Sequence, residues 1–315
     1  MKFVMPRLSP AFVLPGGIQE MKPYRSMLFV PGHKPDWVDK AVASGTDAVI
    51  LDLEDSVPIH EKADARATVA KSIEALAGAG ENVGVWVRPN GWESGLAGLD
   101  LEQVVLPGLH GLLLPMVYTA ADVARFDTLL THFEIKNGLE VGSIELFPAL
   151  ETAQSMGSCE EIAAASPRVV SLFGATARDA DVARSLGYQF TLEGLETLYI
   201  RSRIVLACRA AGLDHPIGGL WQDIRDIEGL RTFAEGNRKL GYRGFVAIHP
   251  SHIQHINEIF TPAPDRVAFY RGMIAAFEAA ETAGHGAVTY EGQHIDYAHV
   301  KTARETVAFA DSLGS

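Results

Sequence analysis

The chain has 315 residues, of which 47% are hydrophobic and 21% charged, so it can bury the core of one large α/β barrel or of two ordinary domains. Its formal net charge of -12 argues against a nucleic-acid partner, because phosphate contacts need clustered Lys and Arg. With only two cysteines and no apolar stretch long enough to span a bilayer, we expect a cytoplasmic protein without a disulfide framework.

Short apolar runs alternate with longer segments of helical pattern along most of the chain. Residues 1–23 come first and are predicted to form an irregular arm, because prolines and Gly16-Gly17 interrupt them. Eight runs are then predicted as strands: 26–30, 48–51, 83–88, 111–114, 142–150, 169–173, 218–221 and 245–248. Helices are predicted between them at 34–44, 60–76, 120–132, 155–165, 193–211 and 226–240.

Eight strands separated by helices predict a closed parallel (β/α)8 TIM barrel over residues 24–260. A doubly wound open sheet is the rival, but no Gly-x-Gly-x-x-Gly follows the first run. After Pro250 the pattern changes to a Pro-rich linker, a helix at 265–283, a short strand at 287–290 and a final helix. Residues 261–315 are therefore predicted to be a small C-terminal helical lid or tail.

Polar side chains follow the predicted strands on one side only. Glu151 and Asp179 each come shortly after an apolar run, and neighbouring parallel strands would bring both to one rim of the sheet. Oxygen ligands at such a rim suit a hard divalent cation. The other polar residues in equivalent positions are Asp52, Glu54, Asp55, Arg88, Asn90, Asp223 and His249. We therefore expect the chemistry at the carboxyl ends of the strands.

Several of these segments are familiar as motifs. They are 25–32 (RSMLFVPG), 47–57 (DAVILDLEDSV), 150–152 (LET), 241–250 (GYRGFVAIHP) and the tail segment 292–296 (GQHID). The chain resembles the HpcH/HpaI aldolase and citrate lyase β-subunit superfamily, within it the CitE-like, malyl-CoA lyase-like branch. The resemblance implies a (β/α)8 barrel, an Mg²⁺-dependent carbon–carbon lyase acting on CoA thioesters, and a homotrimer or homohexamer.

The resemblance also implies the metal ligands. Glu151 matches the first Mg²⁺ ligand of the family, and Mn²⁺ is an alternative ion. The second ligand follows a Gly-x-x-Asp spacing in the family, but here Ala177 occupies that position. Asp179 is the predicted second ligand and Asp181 the reserve.

The remaining site residues are carried over in the same way. Arg88 matches an arginine that faces the substrate carbonyl and carboxylate, and a guanidinium is suited to paired oxygens. Glu54 and Asp55 resemble acids that fix this arginine. Asp296 would come from a neighbouring subunit and protonate the acyl-CoA enolate. Arg25 and Lys34 are the predicted cations for the CoA phosphates.

Two positions depart from the family. Met116 and Phe245 stand where lysines are common, so the acyl-CoA, the 2-oxo acid and the physiological direction are left open. The predicted reaction is retro-Claisen or aldol cleavage, or formation, of a 3-hydroxyacyl-CoA such as malyl-, citramalyl- or citryl-CoA. The alternatives are a metal-dependent 2-oxo-acid aldolase that does not use CoA, a citryl-carrier subunit of a lyase complex, and a non-catalytic CoA-binding paralogue.

Overall fold

The computed structural model describes residues 22–79 and 83–313, so all but the last two residues of the predicted N-terminal arm lie outside it. These two ranges contain nine strands: β1 Ser26–Pro31, β2 Ala48–Asp52, β3 Gly84–Arg88, β4 Gly111–Leu114, β5 Glu145–Pro148, β6 Ile217–Gly219, β7 Gly244–Ala247, β8 Val288–Tyr290 and β9 Gln293–Ile295. The described α-helices are α1 Asp36–Ala43, α2 Lys62–Ala79, α3 Ala97–Val104, α4 Ala120–Asn137, α5 Ala153–Gly157, α6 Cys159–Ala163, α7 Asp181–Leu186, α8 Leu195–Ala210, α9 Ile227–Leu240, α10 Ile253–Phe260, α11 Pro264–Thr282 and α12 Tyr297–Ser312.

The first seven strands form one parallel, curled sheet with the order β5-β4-β3-β2-β1-β7-β6. Segment 169–173, predicted as the sixth strand, forms only isolated parallel bridges, to Leu146 and Ala149 on one side and to Ile217 on the other. The Ser171 hydroxyl donates to the His215 carbonyl at 3.0 Å and accepts from the Ile217 amide at 3.2 Å. A side chain thus replaces part of the backbone ladder, which explains why no continuous strand forms there.

Alternation along the strands divides the core in two. Residues such as Met27, Ile50 and Trp86 point to the inner face of the curled sheet and form one buried cluster. Their neighbours Leu28, Val49 and Val87 point outward and pack against the surrounding helices. The strands are apolar on both faces, as a sheet covered by helices requires.

The C-terminal segment forms its own small cluster and packs on the same chain. Met273, Phe277 and Ile295 join α11, α12 and the β8-β9 hairpin. Arg243, just before β7, contacts Glu305 of α12 at 3.2 Å. This places α12 against the amino end of the sheet, opposite the loops in which we predicted the chemistry. No helix in the described ranges is both long and apolar enough to cross a membrane.

Candidate functional site

Arg88 and Asp52 form a two-pronged ion pair at the carboxyl ends of adjacent strands. They are direct partners in the parallel ladder between β2 and β3 and face inward, as alternation from Ile50 and Trp86 dictates. Arg88 Nε and Nη2 each donate to a different Asp52 oxygen at 2.7 Å. The Asp52 side chain is only 2% exposed, and the Arg88 guanidinium lies 4.8 Å from the Phe29 ring centroid. Asp52 therefore holds the Arg88 guanidinium in one orientation, through Nε and Nη2.

Glu54 is the second acidic contact of Arg88, as predicted, whereas Asp52 takes the place that we gave to Asp55. Arg88 Nη1 lies 2.9 Å from Glu54 Oε2, yet that buried oxygen accepts no hydrogen bond from any described residue. Burial raises the pKa of Glu54 to about 7; Arg88 opposes this rise, while Asp55, Glu151 and Asp52 add to it. Asp55 itself is exposed. Sequence reasoning missed the role of Asp52, although its spacing of two from Ile50 already indicated an inward carboxylate.

A supporting network that we did not predict fixes the loop after β2. Lys62 Nζ donates to the carbonyls of Leu53 and Glu54, both at 2.8 Å, and to Asn90 Oδ1 at 2.5 Å. Asn90 in turn donates through its amide and its side chain to Asp100, each at 2.7 Å. Lys62 thereby joins the loops that follow β2 and β3. No local motif marks this lysine, since its partners are mostly backbone carbonyls.

Glu151 lies just beyond β5 on the same rim. Its Oε2 accepts from the Met116 backbone amide at 2.9 Å. Burial raises the pKa of the Glu151 carboxyl; the Met116 hydrogen bond and Arg88 oppose this, and Asp181 and Asp55 add to it. Met116 adopts a left-handed backbone with φ of 48°, which is uncommon for a non-glycine residue and marks a constrained loop.

Of the two candidates for the second ligand, Asp181 is the one within electrostatic reach of Glu151. It begins α7, is partly buried, and its charge raises the pKa of both Glu151 and Tyr118. Its carboxylate also contacts Arg184 on the next turn of the helix. Asp179 is exposed with φ of 52°, and no contact joins it to Glu151 in the described chain.

These carboxylates fit a hard divalent cation. No cluster of three or more His, Cys, Asp or Glu ligands is present among the described residues, so protein oxygens alone would not fill a coordination sphere. Mg²⁺ commonly binds one or two carboxylates and keeps water or substrate oxygens. Glu151 beside Asp181, in a region where several carboxylates raise one another's pKa, has the charge that such a cation would compensate.

Three other predicted residues lie away from this group. Arg25 precedes β1, at the amino end of the sheet, and its guanidinium binds Asp47 at 2.7 Å and 2.9 Å. That position separates Arg25 from the site and gives it a structural partner. Lys34 is exposed in the loop after β1, on the correct side. Asp296 is half-exposed and caps α12, where its Oδ1 lies 2.6 Å from His299 Nδ1.

Phe245 and Met116, which stand where the family commonly has lysines, lie in different places. Phe245 is fully buried in the outer core, with ring centroids 6.1 Å from Phe233 and 6.3 Å from Phe260. A lysine missing from that position therefore does not alter the inner face. Met116, in contrast, lines a cavity of about 300 Å³ beside Glu54. A larger cavity of about 720 Å³ lies between α1 and α2 on the outside, and its lining contains none of the predicted site residues.

The chain is similar in sequence and structure to proteins of one known family. The profile of the HpcH/HpaI aldolase/citrate lyase family matches residues 25–250. An L-malyl-CoA/beta-methylmalyl-CoA lyase of Cereibacter sphaeroides is 35% identical, covering 93% of this chain and 96% of the relative. A (3S)-malyl-CoA thioesterase of the same species is 33% identical with the same coverage. The crystal structure of CitE from Mycobacterium tuberculosis with magnesium, acetoacetate and coenzyme A matches with a TM-score of 0.68 and 27% identity, over 91% of this chain and 97% of that one.

Proposed function

The chain belongs to the HpcH/HpaI aldolase/citrate lyase family, and on that premise we infer that it is an Mg²⁺-dependent carbon–carbon lyase of 3-hydroxyacyl-CoA thioesters such as malyl-CoA. Cleavage yields a 2-oxo acid and an acyl-CoA, and the reverse reaction joins them. The observation that carries the proposal is the meeting of Arg88, Glu54 and Glu151 at the carboxyl ends of β2, β3 and β5.

We propose that Glu151 and Asp181 hold the Mg²⁺. When bound, the ion supplies Lewis-acid polarisation of the substrate oxygens. Two features favour Asp181 over our first choice, Asp179: it is partly buried at the start of α7, and its charge acts on Glu151. The Met116 amide, which donates to Glu151 Oε2 at 2.9 Å, fixes the orientation of the Glu151 carboxylate.

The protein's own groups divide the remaining work. Glu54, whose buried Oε2 contacts Arg88 Nη1 at 2.9 Å but accepts no hydrogen bond from the described residues, would accept the proton of the substrate hydroxyl. As the carbon–carbon bond breaks, its electron pair moves onto the thioester as an enolate, and the hydroxyl carbon becomes the carbonyl of the 2-oxo acid. Arg88, held by Asp52, donates to the enolate oxygen. A proton delivered to the enolate carbon then completes the acyl-CoA.

We keep Asp296 of a neighbouring copy as the proposed proton donor. Within its own chain Asp296 begins α12, which packs against the opposite end of the sheet through Arg243 and Glu305. A second copy is therefore needed to bring this carboxyl to the enolate. The homotrimer or homohexamer and the cytoplasmic location belong to the same proposal, as does binding of the CoA phosphates by Lys34.

We further propose that the curled sheet closes into a barrel, with segment 169–173 in the place of the eighth strand. Segment 169–173 bridges to both β5 and β6, the two edges of the seven-stranded sheet. This closure would bring Glu151 and Asp181 to neighbouring positions on the rim, since Glu151 follows β5 and Asp181 follows segment 169–173.

Hydrolysis of the same thioester is a second candidate, favoured by the similarity to a (3S)-malyl-CoA thioesterase. The two reactions differ in the bond that breaks: the lyase breaks C–C, whereas the thioesterase breaks C–S and consumes water. The discriminating experiment incubates malyl-, citramalyl- and citryl-CoA with protein and Mg²⁺ and identifies the products. Glyoxylate, pyruvate or oxaloacetate formed in equal amount to acetyl-CoA supports the lyase; free CoA with an intact hydroxy acid supports hydrolysis.

A further inference from the structure

Two residues on the wall of the cavity beside Glu54 contact the proposed catalytic residues Arg88 and Glu151. Glu54, on its wall, contacts Arg88, and Met116, also on its wall, donates its amide to Glu151. A substrate carbon held between Arg88 and Glu151 would therefore have this space next to it for its substituent. At about 300 Å³ the cavity is too small for the whole of CoA but large enough for a short side chain.

The charges on the cavity wall are unbalanced. Four carboxylates line it, those of Glu54, Asp55, Glu93 and Asp122, against the two cations Lys62 and Arg125. Lys62 already donates to three acceptors, and Arg125 Nη1 binds Asp122 Oδ1 at 2.8 Å. Burial raises the pKa of Tyr118, and Glu93 and Asp122 raise it further, which agrees with a negative local potential. The proposed metal ligands Glu151 and Asp181 lie outside the cavity lining, so these four carboxylates are additional to the two that would hold the cation.

The uncharged part of the wall contains the polar residues Asn90 and Ser94 and an apolar surface formed by three large side chains. Met116, Trp92 and the ring of Tyr118 form this apolar surface. The Trp92 ring meets Phe126 edge-on at a centroid distance of 5.8 Å, and Arg125 lies 5.9 Å from the Trp92 centroid. Where the family commonly has a lysine, this wall offers the thioether of Met116, which gives contact area without charge.

We propose that this cavity receives the side chain of the 2-oxo acid and selects a neutral, apolar substituent over one that carries a second carboxylate. The inference rests on the proposed lyase function and narrows its substrate class. It predicts that oxaloacetate, and hence citryl-CoA, is a poor partner. An acid with a short branched or linear alkyl group is a good one.

Two 2-oxo acids of similar size test the proposal, because 4-methyl-2-oxopentanoate carries an isobutyl group where oxaloacetate carries a carboxymethyl group. With acetyl-CoA and Mg²⁺ held constant, we expect kcat/KM for the neutral acid to exceed that for oxaloacetate at least about tenfold. Calorimetric titration of each acid without acetyl-CoA should give a lower Kd for the neutral acid than for oxaloacetate. Met116→Lys should raise kcat/KM for oxaloacetate and so lower the ratio of the two kcat/KM values at least about tenfold. Ile135→Lys, which adds the same charge on an exposed position of α4, should leave the ratio unchanged.

Glyoxylate has no side chain, so its condensation tests the lyase function independently of the proposed selectivity of the cavity. If glyoxylate condenses but oxaloacetate is preferred to 4-methyl-2-oxopentanoate, the cavity inference is overturned and the lyase function stands. An unchanged ratio in Met116→Lys overturns the assignment of this wall in the same way. If no 2-oxo acid condenses with acetyl-CoA, the lyase function fails and the inference falls with it.

Discussion

Arg88 and Asp52 share two parallel hydrogen bonds of 2.7 Å between the last residues of adjacent parallel strands. The pair is almost fully buried, with 13% of the arginine and 2% of the aspartate side chain exposed. Asp52 also accepts from the amides of Glu54 and Ser56, so one carboxylate fixes both the arginine and the start of the following loop. The position of Arg88, the arginine that we propose as catalytic, therefore depends on a residue that need not touch the substrate.

We expect Arg88→Lys to reduce kcat about 100-fold to 1000-fold, because an ammonium cannot bind Asp52 with two prongs and still donate to the enolate. Asp52→Asn should reduce kcat less, since Glu54 still contacts the arginine. Steady-state kinetics with circular dichroism would measure both effects. Near-normal turnover by the lysine variant would mean that Arg88 does not stabilise the transition state.

Asp181→Asn and Asp179→Asn form a matched pair for the metal site. Loss of a direct carboxylate ligand should weaken Mg²⁺ binding at least about tenfold, which titration calorimetry would measure. We expect this loss for Asp181→Asn alone, because Asp179 is exposed whereas the charge of Asp181 acts on Glu151. The opposite result would restore Asp179 as the ligand.

Lys62→Met should loosen the loop that carries Glu54 and Asp55. The substitution leaves the Leu53 carbonyl without its donor, at a cost of about 1–3 kcal/mol, and leaves the Glu54 carbonyl with the Val57 amide alone. Hydrogen exchange of residues 53–57 should become faster and kcat/KM should fall. Lys71→Met, on an exposed position of the same helix, is the control. Equal effects of the two variants would argue against a positioning role for Lys62.

The part-buried carboxyl of Glu145 should make stability depend on pH. Burial raises its pKa to about 7 in the folded protein, so the folded state binds this proton more tightly than the unfolded state. The contribution is therefore fully present below the ordinary glutamate pKa and is lost as pH rises to about 7. Glu145→Gln should gain stability relative to the wild type over that range, by up to about 3 kcal/mol at pH 8. Denaturant unfolding at pH 5 and pH 8 measures the difference, and a constant difference would contradict the assignment.

Much of the fold could be predicted, because parallel strands buried on both faces are apolar runs. The predicted strand at 48–51 differs from β2 by a single residue, whereas the run at 169–173 forms only bridges because the Ser171 side chain enters the ladder. Short helices such as α3 and α7 were missed, since a turn or two carries little periodicity.

The site was predictable where a residue directly follows a strand. Arg88 and Glu151 therefore lie where we expected, and the contact of Arg88 with Glu54 is confirmed. Arg25 precedes its strand, so the sequence already placed it at the other end of the sheet. The choice between Asp179 and Asp181 depended on loop geometry, which spacing alone did not determine.

The most direct test of the central claim is Mg²⁺-dependent formation of glyoxylate from malyl-CoA by wild type, Glu151→Gln and the exposed control Glu140→Gln. The account predicts that the wild type and the control produce glyoxylate and acetyl-CoA in equal amounts only when Mg²⁺ is present. The folded Glu151→Gln protein should form neither at any Mg²⁺ concentration. Glyoxylate formation by Glu151→Gln, or wild-type turnover unaffected by a chelator, would contradict it.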